Sequence, residues 1–236
     1  MAKDYSQFSK EELLKIVEKM ESRKKYGLIW DEEKVKEQFE KDAENALPVL
    51  KEISSKEIID KDASKPVNIL IEGDNYHALS VLNFTHQGKV DVIYIDPPYN
   101  TGNKDFKYND HWIDSEDSYR HSSWLSFMNK RLILAKNLLK NTGIIFISMD
   151  DNEIAQLKLL CTDIFGGDKF VGTFVWKRRS GANDPKNLVS TDHEYVLCYK
   201  KSDVASLYGV EKNFSNYKNP DNDLRGNWIA GDLTCG

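Results

Sequence analysis

The sequence predicts an α/β protein whose parallel, doubly wound sheet is covered on both faces. Apolar runs at residues 67–71, 90–95 and 144–147 have the length and β-branched content of buried strands. Helical periodicity fills the intervals between them, and that alternation is the pattern of crossover units that build a parallel sheet. At 236 residues, 40% apolar and 11% aromatic, the chain is long enough for one large domain with a substantial core.

In chain order, residues 1–64 read as a charged helical arm packed on the main body. Ser9 opens a capping box with Glu12, and Leu13, Leu14, Ile16, Val17 and Met20 supply an apolar stripe at helical spacing. Gly27 ends that helix, Trp30 or Asp31 starts a second, and Pro48 closes it. Residues 65–201 form the α/β region. Its first strand, 67–71, runs into Glu72-Gly73-Asp74 and a helix beginning at Asn75, which Asp74 is placed to cap. The second strand, 90–95, ends in Asp96-Pro97-Pro98-Tyr99, and a polar loop of about 20 residues follows. A long helix then carries Trp124, Leu125, Met128, Leu132, Ala135, Leu138 and Leu139 on one face, and Asn141-Thr142-Gly143 supplies its stop. The third strand, 144–147, leads to a helix capped by Asp150 or Asp151. Runs at 170–176 and 194–199 read as a last strand pair around a polar turn. Residues 202–236 lose periodicity.

Several function classes drop out on composition. No apolar run approaches the 18 or so residues of a membrane span. Cys161, Cys198 and Cys235 are odd in number and widely spaced, which suits a reducing cytoplasm and gives neither a disulfide framework nor a zinc site. The five histidines have no metal-ligand spacing among themselves or with the cysteines. Neither a nucleophile elbow nor a phosphate-cradling glycine loop is present, so hydrolase and nucleotidase readings have no support. The net charge of -5 weighs mildly against a nucleic-acid partner, although only the charge of the local face matters. On that local scale Lys177-Arg178-Arg179, with Lys186 nearby, is the densest basic run. It reads either as solvated surface or as phosphate contacts.

Ligands of an open α/β sheet sit at the carboxyl ends of its strands, and two of these strands end in conspicuously polar residues. At Asp96-Pro97-Pro98-Tyr99 the two prolines hold the backbone extended and withdraw two amide donors. Their carbonyls are left to face a cleft. A carboxylate acceptor, a carbonyl acceptor and the flat ring of Tyr99 together suit a planar heterocycle bearing an exocyclic amino group. The plain alternative is a rigid strand-to-loop turn.

Asp-Pro-Pro-Tyr after a buried strand resembles the catalytic motif of amino-group DNA methyltransferases. The likeness extends in order through Asn68-Ile69-Leu70-Ile71-Glu72-Gly73-Asp74-Asn75, Tyr94 to Asn103, Ser122-Ser123-Trp124-Leu125, Ile147 to Glu153 and His193-Glu194-Tyr195. These blocks together resemble the modification (Mod) subunit of type III restriction-modification systems. The resemblance implies a partial Rossmann-like methyltransferase sheet, S-adenosylmethionine as cofactor, and methylation of adenine N6 in double-stranded DNA. It implies catalytic roles for Asp96, Pro97, Pro98 and Tyr99, with Asp74 and Asp96 beside the cofactor. Trp176 is the candidate for the wall opposite Tyr99, against its simpler reading as an edge-strand aromatic, and Lys177, Arg178 and Arg179 are candidates for DNA contact. A Mod homodimer and a restriction subunit are the implied partners, in the cytoplasm.

One feature of the pattern is missing. Related enzymes hold the methionine part of the cofactor on a Phe-x-Gly-x-Gly turn, yet none of the 13 glycines forms a Gly-x-Gly. The expectation is a chain carrying the methyl-acceptor half, with residues 202–236 opening a truncated target-recognition region, inactive on its own. Two rival functions stand beside it: a cytosine-N4 methyltransferase, and a non-catalytic DNA-binding or assembly fragment.

Overall fold

The computed structural model describes residues 8–21, 28–32, 48–58, 65–109, 111–179, 190–211 and 214–228. The chain divides into two compact units, Met1–Ala205 and Ser206–Gly236.

In the first unit, helix α1 (Lys10–Glu21) starts at the expected capping box. The Ser9 amide donates to Glu12 Oε2 at 2.8 Å, and the Glu12 amide donates back to Ser9 Oγ at 3.3 Å. Leu13 and Ile16 are half-buried, while Leu14 and Val17 stay exposed. The break at Gly27 and most of the expected second helix lie outside the described residues. Trp30 ties the arm to the body: it packs on the main core, and its indole N–H donates to Ser126 Oγ at 2.9 Å.

The body follows as α2 (Asn75–His86), β1 (Val90–Ile95), β2 (Asn103–Tyr108), β3 (His111–Asp114), α3 (Arg120–Leu138), β4 (Leu139–Met149), α4 (Ile154–Phe165), β5 (Phe170–Lys177) and β6 (His193–Lys200). The main sheet has the order β1-β4-β6-β5. Only β1 and β4 are parallel, whereas β6 runs antiparallel to both of its neighbours, so the sheet is mixed and not parallel throughout. One face is covered: Ile145, Ile147, Met149, Leu197 and Tyr199 pack against Trp124, Met128 and Leu132 of α3 and Leu157, Leu160 and Phe165 of α4. The other face leaves Val92, Tyr94, Phe174 and Trp176 exposed among the described residues, which corrects the expectation of two covered faces.

Three further expectations are corrected. Residues 67–71 form no strand: Val67, Ile69 and Leu70 are exposed, because no described strand offers them a ladder. The polar loop after β1 contains the antiparallel hairpin β2–β3, whose Phe106, Tyr108 and Ile113 enter the main core. Asn141-Thr142-Gly143 lies inside β4, where Val90 pairs Leu139 and Val92 pairs Ile144. The extra residues on β4 are a bulge, and the helix stop comes earlier, at Leu138.

The mixed sheet gathers the chemistry at one edge. β1 and β4 end side by side at Ile95 and Met149. The antiparallel β6 begins there, with Tyr195 opposite Met149, and β5 ends there, with Trp176 opposite Glu194.

The second unit closes on itself. Lys218 and Trp228 form an antiparallel bridge, Asn219 exchanges two hydrogen bonds with the Asp223 backbone at 2.6 and 2.9 Å, and the Trp228 indole donates to Asp221 at 2.8 Å.

Candidate active site

A cavity of about 170 Å³ opens at that gathered edge. Asp96 and Tyr99 from the Asp-Pro-Pro-Tyr run, Trp176 from β5 and Glu194 from β6 all line it. Tyr94, Ser148, Tyr195 and Val196 complete the wall. It is smaller than the roughly 300–1,000 Å³ of sites for drug-sized ligands, a scale that suits one flat ring. A larger, open hollow of about 360 Å³ lies along the β2–β3 hairpin, lined by Gly102, Asn103, Lys104, Trp112, Ile113 and Asp114. It lacks the paired carboxylates and facing aromatic rings of the edge cavity.

The aromatic walls come from opposite sides of the sheet order, Tyr99 beyond β1 and Trp176 on β5. Between them stand oxygen acceptors. The Tyr99 hydroxyl donates to Glu194 Oε2 at 3.4 Å, and Tyr94 and Ser148 share a hydroxyl hydrogen bond of 2.6 Å across β1 and β4. Burial, together with the Asp96 carboxylate beside its hydroxyl and the charge of Glu194, pushes the Tyr99 phenol well above its ordinary value. Arg178 Nε sits 3.2 Å from Glu194 Oε1 and offsets part of the negative charge. A small, carboxylate-rich cavity with aromatic walls fits amino-group donors and a cationic reactant.

The proline carbonyls are not both free. Trp124, fully buried on α3, donates its indole N–H to the Pro98 carbonyl at 2.7 Å, and the residues lining the cavity include neither proline. Behind Tyr99, Asn100 is fully buried and holds φ 58°. A left-handed backbone costs an ordinary L-residue about 1–2 kcal/mol, less for asparagine, and persists where side-chain contacts fix it.

Asp74 stands apart from this cavity. Its Oδ1 caps α2, accepting from the Tyr76 and His77 amides at 2.8 and 3.4 Å, and its Oδ2 lies 3.3 Å from Arg131 Nη2. The cap is therefore real, and the half-exposed carboxylate retains open surface. Asp150 and Asp151 do not cap α4: Asp150 accepts from the Asn152 amide and side chain, and Asp151 accepts from the Tyr195 hydroxyl at 2.9 Å. Lys177 ends β5 and Arg178 and Arg179 follow it, directly after the cavity's Trp176. The Arg178 and Arg179 amides donate to the Asp192 carbonyl, which turns this end of β5 towards β6. Lys186 lies outside the described residues.

Glu194, Tyr94 and Ser148 have no role that sequence alone assigns. Glu194 offers one usable signal, its place in the His193-Glu194-Tyr195 block opening a strand that pairs with the strand of Trp176. Tyr94 and Ser148 offer none, because strand pairing alone brings them together.

A family model described as DNA methylase, of the N6/N4 methyltransferase class, matches residues 90–229. The chain is 39% identical over 193 residues to the Mod subunit of the type III restriction-modification enzyme StyLTI of Salmonella typhimurium strain LT2, covering 71% of this chain and 30% of that protein. It is 38% identical over 175 residues to the EcoP15I Mod subunit of Escherichia coli, covering 64% and 27%. With the type II methyltransferase M.KpnI of Klebsiella pneumoniae it shares 43% identity over 150 residues, covering 63% and 36%. The chain thus spans about a third of the length of these relatives. With more than half of its length inside the family model, the chain belongs to the N6/N4 DNA methylase family.

Proposed function

We propose that the protein is a DNA adenine-N6 methyltransferase dependent on S-adenosylmethionine, the modification subunit of a type III restriction-modification system. The observation that carries this reading is the convergence of Asp96, Tyr99 and Trp176 on one cavity at the carboxyl end of β1. Each motif residue then has a task. The adenine amino lone pair is delocalised into the ring and is a poor nucleophile. Hydrogen bonds from that amino group to the Asp96 carboxylate and the Pro97 carbonyl draw the nitrogen towards tetrahedral geometry and free the pair. Pro98 gives its carbonyl to Trp124 and so serves to hold the turn. Tyr99 and Trp176 take the flipped base between their rings, since no base can reach such a pocket from inside a duplex. S-adenosylmethionine, when bound, supplies the methyl group on a sulfonium centre, and the carboxylates of Asp96 and Asp74 suit its positive charge and its adenosine end. Holding the reacting groups in line is worth up to about 7–11 kcal/mol in well-oriented intramolecular reactions.

Lys177, Arg178 and Arg179 lie beside the base pocket and fit contacts to the phosphates flanking the flipped nucleotide. The relatives are Mod subunits of type III restriction-modification enzymes, which supports DNA as substrate and a restriction subunit as partner; a second Mod copy and a cytoplasmic setting are part of the same proposal. No described helix is long and apolar enough to cross a membrane.

The test is methylation of a DNA library by the protein expressed from its intact gene, with the modified nucleosides identified by mass spectrometry. N6-methyladenine from the wild type and none from Asp96→Ala is the expected result. N4-methylcytosine would move the reading to the cytosine branch of the same family. Equal methylation by both proteins would remove Asp96 from the chemistry.

A further inference from the structure

Directly behind the motif, three elements meet at one buried point. The Asn100 side-chain amide donates through Nδ2 to Glu153 Oε1 at 2.6 Å and to the Arg120 carbonyl, at the start of α3, at 3.3 Å. Glu153 precedes α4, is fully buried, and also stands 2.6 Å from His121 Nδ1 through the same Oε1. Asn100 is the residue immediately after Tyr99 and the one with left-handed backbone in the Asp96 to Asn100 run. Glu153 therefore grips the turn that ends the motif.

Two plainer roles do not account for Glu153. It occupies the N-cap position of α4 but makes no side-chain cap hydrogen bond. Nor is it a good stability device. A buried carboxylate is costly unless fully paired, and apolar residues of similar size are often as stable or more so. Here Glu153 Oε2 and Asn100 Oδ1 are buried with no partner among the described residues. A strained residue held by an expensive buried charge, next to a reacting motif, is the pattern of geometry fixed for function.

We infer that Glu153 is a positioning residue: by holding the Asn100 amide it fixes the left-handed turn that aims Tyr99, and with it Asp96, into their shared cavity. This rests on the adenine methyltransferase reading for its kinetic consequence. Its geometric consequence stands without it.

Three variants and one double variant test the inference, with rates expressed per folded protein. Asn100→Gly keeps a residue at ease with positive φ and removes only the gripped amide. Glu153→Ala removes the grip, and Glu153→Gln keeps an oxygen acceptor for Asn100. Asn100→Gly and Glu153→Ala are each expected to lower kcat by about 10–100-fold, the cost of a small misplacement of reacting groups, with KM for DNA nearly unchanged. Glu153→Gln should recover most of that loss. Because both residues act through one bond, the double variant should be no slower than either single one. In parallel, 3-fluorotyrosine placed at position 99 reports the ring's setting by fluorine NMR, and its resonance should move in both Asn100→Gly and Glu153→Ala. If Glu153→Ala does not fold, Asn100→Gly carries the test. Losses that multiply in the double variant, or an unmoved resonance in the folded single variants, overturn the inference. A wild type that methylates nothing while the resonance still moves would defeat the functional reading and leave the positioning role standing.

Discussion

Trp124 joins the core to the Asp-Pro-Pro-Tyr turn in a single hydrogen bond. Its indole N–H satisfies the Pro98 carbonyl at 2.7 Å from a position with no solvent exposure. Trp124→Phe keeps an aromatic ring but leaves that acceptor unpaired, so it should destabilise the protein by about 1–3 kcal/mol. Urea denaturation measures this, and an unchanged midpoint would mean that the bond contributes nothing. Glu153 gives a second prediction, in pH. Burial raises its carboxyl above the ordinary glutamate value, against the hydrogen bonds from Asn100 and His121 and the charge of Arg120. A raised carboxyl contributes stability that is fully present below the unfolded pKa, about 4.3, and lost as pH rises through the folded value. Glu153→Gln cannot titrate, so the stability of wild type relative to this variant should fall as pH is raised from about 4. Paired urea titrations across that range check the sign, and a difference that is flat or rising with pH contradicts it.

At the scale of elements, legibility follows how local the determining interactions are. The capping box at Ser9, the strand 90–95 and the Asp-Pro-Pro-Tyr turn are readable because each is written within a few neighbouring residues. The Asn100–Glu153 grip spans 53 positions of sequence and the Tyr94–Ser148 pair spans 54, and only the fold brings their partners together. Residues 67–71 mislead in the other direction: strand composition is local, but a strand also needs a neighbour, and none is described there. Gly143 shows the same limit within β4. It reads as a helix stop, yet a Cβ there would meet Leu139 Cδ2 at 2.9 Å and the Lys140 and Val90 carbonyls at 3.0 and 3.1 Å. The glycine is needed for the close approach of β1 and β4 at the bulge. Gly143→Ala should therefore destabilise by about 1–3 kcal/mol, read as a lower thermal midpoint. A neutral or stabilising effect would show that the two strands give way freely.

Across all 236 residues, a net charge of -5 sets a condition on the proposed binding of DNA. The condition is met if a few cations work locally, and the three at the end of β5 are not equivalent. Arg178 is already committed to Glu194 at 3.2 Å, whereas Lys177 and Arg179 make no ion pair among the described residues. Taking one cation away from a DNA phosphate should reduce the slope of log affinity against log salt by about 0.9. Lys177→Gln together with Arg179→Gln should thus flatten the slope by roughly 2 and weaken binding to all DNA sequences alike. Arg178→Gln should change the slope by less than either of these cations does. Its larger effect should be on turnover, because it leaves the Glu194 carboxylate uncompensated beside Tyr99. Binding isotherms at several salt concentrations separate these outcomes. An undiminished slope in the Lys177 and Arg179 double variant would take this face off the DNA, and the cationic surface would then have to be sought elsewhere on the protein.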